Sequence, residues 1–173
     1  LINEEQAKGQ PSRQTKNQAS VYLIITTVLA LFLVHRIIGY WLADFHFAQG
    51  RKLEKAGYLS AALSHLDQAI KLNRSEPNFY SQRGVALAKL VATLAQNNQV
   101  QNQSERVNQF INQAISDSQK ALKISSFHLN FYKNQAKMYY YLSFVKLDYL
   151  RGALDTLLAA EKLAPTDPKI PYN

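Results

Sequence analysis

The sequence predicts an all-α protein: one apolar helix, then about three helical hairpins stacked as an α-solenoid. Three observations predict it. Glycine and proline number only 6 and 5 in 173 residues, too few for the many turns of an all-β chain. One run, Val21 to Ala43, is apolar over nearly its whole length. Segments after that run repeat one another.

Residues 1–18 form a polar flank. Asn3 to Gln18, with Gly9, Pro11 and Ser12, reads as a loop or linker. The chain starts at Leu1, which suggests a piece of something longer.

Residues 19–43 read as a transmembrane helix, since about 20 mostly apolar residues cross a bilayer. His35 and Arg36 interrupt the run. A central Arg costs roughly 2.5–3.5 kcal/mol on insertion, while each Leu or Ile returns about 0.3–0.6 kcal/mol. The stretch Leu23 to Val34 is rich enough to offset it. Two registers fit. Either Val21 to Ala43 spans and Arg36 snorkels, or the span ends at Val34 and Tyr40-Trp41 sit at the interface. A cleaved signal peptide would have a shorter apolar core and a small-residue cleavage site, and bulky Tyr40-Trp41 follows here instead. The flanks tie in basic residues, Lys8, Arg13 and Lys16 against Arg51, Lys52 and Lys55. Arg36 would tip the positive-inside count toward a cytoplasmic repeat region, whereas a signal-anchor with a short basic tail would put the repeats outside.

Residues 44–168 carry the repeats, approximately 44–77, 78–129 with a long insertion, and 130–168. Gln68-Ala69-Ile70-Lys71-Leu72 followed by Asn78-Phe79-Tyr80 aligns without a gap on Lys120-Ala121-Leu122-Lys123-Ile124 followed by Asn130-Phe131-Tyr132. Tyr58 to Leu63 matches Tyr149 to Leu154. Leu59, Ala62, Leu63, Leu66, Ala69 and Ile70 form a stripe at helical spacing. Ser75-Glu76-Pro77 offers a helix start and Gly57 a hairpin turn. Between Leu94 and Phe110 a Gln/Asn-rich stretch fits either a disordered loop or, the favoured reading, two helices extended beyond the repeat with a short flexible tip between Gln96 and Gln103. The first helix of the third repeat reads as overlong. Residues 169–173 read as the start of a further repeat, with Tyr172 near the place of its aromatic.

On these residues the chain resembles the tetratricopeptide repeat family. The positions that carry the resemblance are His46, Gly50, Leu53, Gly57, Ala62, Leu66 and Ala69 in the first repeat. They are Tyr80, Gly84, Leu87, Ala114 and Ala121 in the second, and Tyr132, Ala136, Tyr139, Ala153, Leu157, Ala160 and Pro165 in the third. Arg74 and Ser126 depart from the pattern where Pro165 keeps it. The resemblance implies hairpins whose first helices line a concave groove for a protein or peptide segment. Carried across, the groove positions are Arg51, Lys55, Gln82, Lys89, Lys133, Asn134, Lys137 and Tyr140. They include no acid, so the expected partner is an acidic segment or a terminal carboxylate. The family's clamp for chaperone tails does not fit, because Phe47 and Val85 hold two of its polar places.

The join between the apolar run and the first repeat, Tyr40-Trp41-Leu42-Ala43-Asp44 into Gly50-Arg51, also resembles the end of bacterial O-antigen ligase or polymerase-like membrane proteins. That resemblance implies an accessory tail on the outer side of the membrane, with the glycosyltransferase's catalytic residues upstream of Leu1. None of them maps onto this chain.

Chemistry is otherwise sparse. With no Cys there is neither a disulfide framework nor a thiolate nucleophile. His35, His46, His65 and His128 form no HExxH or Cys-paired metal spacing, and His65 reads as a surface residue. Phosphate-cradling and nucleophile-elbow motifs are missing. Asp67, Asp117, Asp148 and Asp155 read as solvated faces and caps. Tyr139, Tyr140 and Tyr141 read mainly as packing residues. No catalytic residue, metal or cofactor is expected. The net charge of +8 favours anionic partners, and without a recognised nucleic-acid fold an acidic polypeptide is preferred over nucleic acid. Membrane lipid is the partner expected for residues 19–43, and oligomeric state is left open.

Overall fold

A computed structural model of the chain describes residues 13–97 and 104–167. The described residues form six α-helices: α1 (Arg13–Lys55), α2 (Leu59–Leu72), α3 (Pro77–Gln96), α4 (Ser104–Ile124), α5 (Leu129–Leu142) and α6 (Tyr149–Leu163). The chain divides into two compact units, residues 1–39 and 40–173.

In the first unit helix already begins at Arg13, so Arg13 to Gln18, expected as loop, are helical. From Val21 to Ile38 every large apolar side chain is more than half exposed. This stretch buries no core among the described residues. Its two threonines, Thr26 and Thr27, donate to the carbonyls of Tyr22 and Leu23 at 2.8–3.0 Å. Closing these hydroxyls onto the helix's own backbone satisfies them without water, which leaves His35 and Arg36 as the strongly polar side chains of the stretch. One helix is thus long and apolar enough to cross a membrane.

The second unit is built of hairpins. The first turns at Gly57, whose φ is +86°. Tyr58 N–H donates to the Leu53 carbonyl at 3.0 Å and Gly57 N–H to the Glu54 carbonyl at 3.2 Å. That is a Schellman closure, and its left-handed residue is one that only glycine takes without strain. The second hairpin starts with Glu76, which accepts from Asn78 N–H at 3.1 Å, and Pro77 at the first helical position. Its helices, of 20 and 21 residues, are extended as expected. The tip expected to be flexible falls mainly on 98–103, outside the described residues. The third hairpin differs from expectation: α5 is not overlong but stops at Leu142. Ser143 Oγ donates to the Tyr140 carbonyl at 2.6 Å there, and a connection from Ser143 to Asp148 follows.

Tyr80 and Tyr132 make the same bond in successive repeats. Tyr80 Oη donates to the Arg74 carbonyl and Tyr132 Oη to the Ser126 carbonyl, each at 3.0 Å. These are the two places where the repeat pattern wants proline. A tyrosine hydroxyl here holds the bend that a pyrrolidine ring would otherwise restrict.

Helix α3 packs on α2, α4 and α5, and α5 on α4 and α6. Two apolar clusters fill the interior. One gathers Ala43, Ala69, Ile70, Phe79, Tyr80, Ala121 and Phe131. The other gathers Val85, Leu87, Ala88, Val91, Val107, Ile111, Ala114, Met138 and Leu142. Small residues sit at the crossings. A Cβ on Gly84 would stand 3.0 Å from the Ala114 carbonyl oxygen, so α3 and α4 approach closely enough there that a side chain would force the backbone to shift. Gly50 lies equally tight against Leu66.

Candidate functional site

The first helices of the hairpins present the residues expected to line a groove, and the structure sorts them into three groups. Around Glu54, on the carboxy-terminal part of α1, stand Gln82 and Lys89 of α3 and Lys137 of α5. Gln82 Nε2 donates to Glu54 Oε2 at 3.2 Å, and Lys89 Nζ pairs with Glu54 Oε1. Glu54 is only 6% exposed. None of the eight carried-over positions is acidic, but a buried carboxylate, that of Glu54, lies against two of them. The eight carried-over positions omit it because it falls between Arg51 and Lys55 on the helix. Its partners come from other hairpins, so spacing within the first repeat does not reveal it.

The second group, Lys133, Asn134, Lys137 and Tyr140, lines a cleft of about 780 Å³ between α5 and α6. Its opposite wall is apolar, made by Leu150, Ala153, Leu154, Leu157 and Leu158, with Glu161 at one end. Lys133 Nζ pairs with Asp167 Oδ2 at 2.7 Å, and Asn134 Nδ2 donates to Ser81 Oγ at 2.9 Å. Tyr140 is half exposed and packs edge-on against Phe144. Tyr139 and Tyr141 pack against the core, in keeping with a packing role. Burial raises the Tyr139 hydroxyl's pKa, and neighbouring Tyr149 adds to the effect.

Arg51 and Lys55 make up the third group. Both are exposed. Arg51 lies over the Phe47 ring at 5.7 Å. Phe47 in turn packs on Phe79, and Val85 is buried, so both clamp positions serve packing.

Lys137 joins the first two groups. Burial holds its pKa below the usual lysine value, the charge of Lys89 lowers it further, and Glu54 partly offsets this. The trio Glu54, Lys89 and Lys137 therefore carries one cation in excess when Lys137 is protonated. Lys89 and Lys133 already have carboxylate partners. Among the described residues none is within ion-pair distance of Lys137.

A separate network holds the repeats together. Arg83 of α3 forks onto Asp117 of α4 at 2.7 and 2.8 Å, and reaches Asp67 of α2 at 2.6 Å. Gln113 Nε2 adds a bond to Asp117 at 2.9 Å. Burial alone would lower the Arg83 pKa, but the hydrogen bonds and charges of Asp117, then of Asp67, outweigh it and raise it. Asp117, expected on a solvated face, is instead buried. Asp148 and Asp155 are exposed as expected. His65, expected at the surface, is half-buried, with its Nδ1 3.0 Å from His46 Nδ1.

No protein-family model matches the chain. No curated protein matches it either. Among solved structures it is similar to the Arabidopsis OM64 TPR domain. The TM-score is 0.55 and the identity 19%, over 78% of this chain and 92% of that one. That likeness carries the fold, an all-helical repeat domain of tetratricopeptide type. It carries no glycan-ligase chemistry.

Proposed function

We propose that this chain is a membrane-anchored repeat module that captures an acidic segment of another protein in the cleft between α5 and α6. The chain itself does binding rather than catalysis. The observation that carries the reading is the make-up of the cleft. One wall offers Lys133, Asn134 and Lys137, the other a row of leucines. Such a surface suits a segment with carboxylates on one side and apolar side chains on the other, held by charge-assisted hydrogen bonds and buried area. Lys137, which forms no ion pair among the described residues, is the residue that gains most from the ligand's charge. Residues 19–43 anchor the module in lipid. The resemblance of the join to ligase tails slightly favours the outer side of the membrane for the repeat region, and protease shaving of intact cells tests that orientation.

Binding is tested with the full chain in nanodiscs and fluorescent acidic peptides carrying spaced leucines. Losing one charge-assisted hydrogen bond costs about 1.5–3 kcal/mol, so Lys137→Met should weaken capture roughly tenfold or more. Arg51→Ala with Lys55→Ala should weaken it far less, since neither lines the cleft. Capture should also fall as pH rises through the lowered pKa of Lys137, because the amine is charged only below it. Equal losses from both sets of substitutions would move the site to the wider concave face. No loss from either would end the acidic-segment reading.

A further inference from the structure

The first hairpin carries two histidines that lie outside the cleft between α5 and α6. His46 lies on α1 and His65 on α2, 19 residues apart in the chain. Both are half-buried. Their ring centroids are 5.2 Å apart with planes tilted by 39°, and the two Nδ1 atoms face each other at 3.0 Å. Phe45 packs edge-on against His46, with centroids 5.8 Å apart. One turn further along α1, Gly50 brings the two helices into close contact at Leu66 and Ala62. Packing on both helices thus presents two imidazole nitrogens to one point.

We propose that His46 and His65 chelate a divalent late-transition-metal ion through their Nδ1 atoms, clipping α1 to α2. Imidazole nitrogens bind such ions at about 2.0–2.1 Å, so a 3.0 Å separation closes at the metal with an angle of roughly 95°. A near-right angle is the cis angle of square-planar or octahedral coordination rather than of a tetrahedron. It suits Cu²⁺ and Ni²⁺ better than a structural Zn²⁺, and the general affinity order puts Cu²⁺ first. Without metal, one Nδ1–H donates to the other Nδ1. On binding, the donor ring moves that proton to its Nε2, and both Nδ1 lone pairs turn to the ion with no net proton released. Among the described residues no cluster of three or more His, Cys, Asp or Glu is placed to hold a metal. The pair therefore makes a two-nitrogen site with open positions, the kind that exchanges its ion.

The test uses the full chain in nanodiscs with CuCl₂ alone, beside His46→Gln, His65→Gln and the double variant. The expected result is one Cu²⁺ bound by the wild-type chain, with an electron paramagnetic resonance spectrum showing two equivalent nitrogens. Each single substitution should weaken this binding by at least about tenfold. Identical binding and spectra for wild type and double variant would overturn the proposal. Far-UV circular dichroism checks that the variants fold. Should they not, the wild-type chain alone decides by NMR. Substoichiometric Cu²⁺ should broaden the imidazole signals of His46 and His65 before those of His35 and His128, and the reverse order would refute the site.

Discussion

Leucine, isoleucine and valine crowd both units of this chain, yet meet opposite fates. Between Val21 and Ile38 all are more than half exposed. In the hairpins Leu66, Val85, Val91, Val107 and Leu142 are essentially inaccessible. Composition does not separate the two cases, but arrangement does. The first stretch is apolar all round, whereas the hairpin helices carry stripes at i, i+3 and i+4 with polar residues between. A stripe can be covered by one neighbouring helix. A cylinder that is apolar on every side has to be covered on every side, by lipid or by other protein. The two units should therefore fail independently, under different insults.

The largest effect expected is on the hairpins alone. Asp117→Ala leaves Arg83 buried against a lone Asp67 and should cost about 3–5 kcal/mol, the usual price of breaking a buried ion pair. Chemical unfolding of the repeat region would register it, while extraction of the chain from membranes at high pH should not change. An equal loss of membrane retention would mean that the units are not energetically separate. Next comes the reverse experiment. Leu29→Arg puts a second cation into the apolar run and should oppose insertion by about 2.5–3.5 kcal/mol, seen as a lower inserted fraction in microsomes. The hairpins' unfolding midpoint should stay where it was. Smaller again is Gly84→Ala. Its added Cβ meets backbone at 3.0 Å, so α3 and α4 must part, at about 1–3 kcal/mol of hairpin stability.

The smallest effect has the opposite sign. Because the Lys137 pKa is lowered in the fold, charging this amine opposes folding. That penalty is fully present below the folded pKa and is relieved as pH climbs toward the unfolded value. Lys137→Met should thus raise the melting midpoint slightly at neutral pH, with the gain vanishing at alkaline pH, even as it weakens peptide capture. A site residue whose removal stabilises the fold is what a binding role, rather than a packing role, predicts.

The corrections share a cause. Asp117 was legible as a helical carboxylate, but its fate depends on Arg83, which reaches it across the gap between α3 and α4. Glu54 sits one helix position from Lys55, yet its partners Gln82 and Lys89 come from the next hairpin. His65 read as a surface residue because nothing near it in sequence names His46 as its neighbour. The early helical start at Arg13 and the stop at Leu142 are boundary matters. The first crosses polar residues that carry no apolar stripe. The second is closed by Ser143 rather than by a glycine.

By itself the sequence determined what is local and periodic. It set the apolar run, the hairpin stripes, the glycine turn at Gly57, the start at Glu76-Pro77 and the all-helical repeat fold. These follow from backbone preference and from which side of a helix is apolar, and both are written within a few residues. Only the tertiary structure decided the rotation and approach of the helices. Those placed Glu54 beneath Lys89, Arg83 between two aspartates, and His46 against His65. The distances between such groups depend on how closely small residues let whole helices approach, and that is a property of the packed hairpins together.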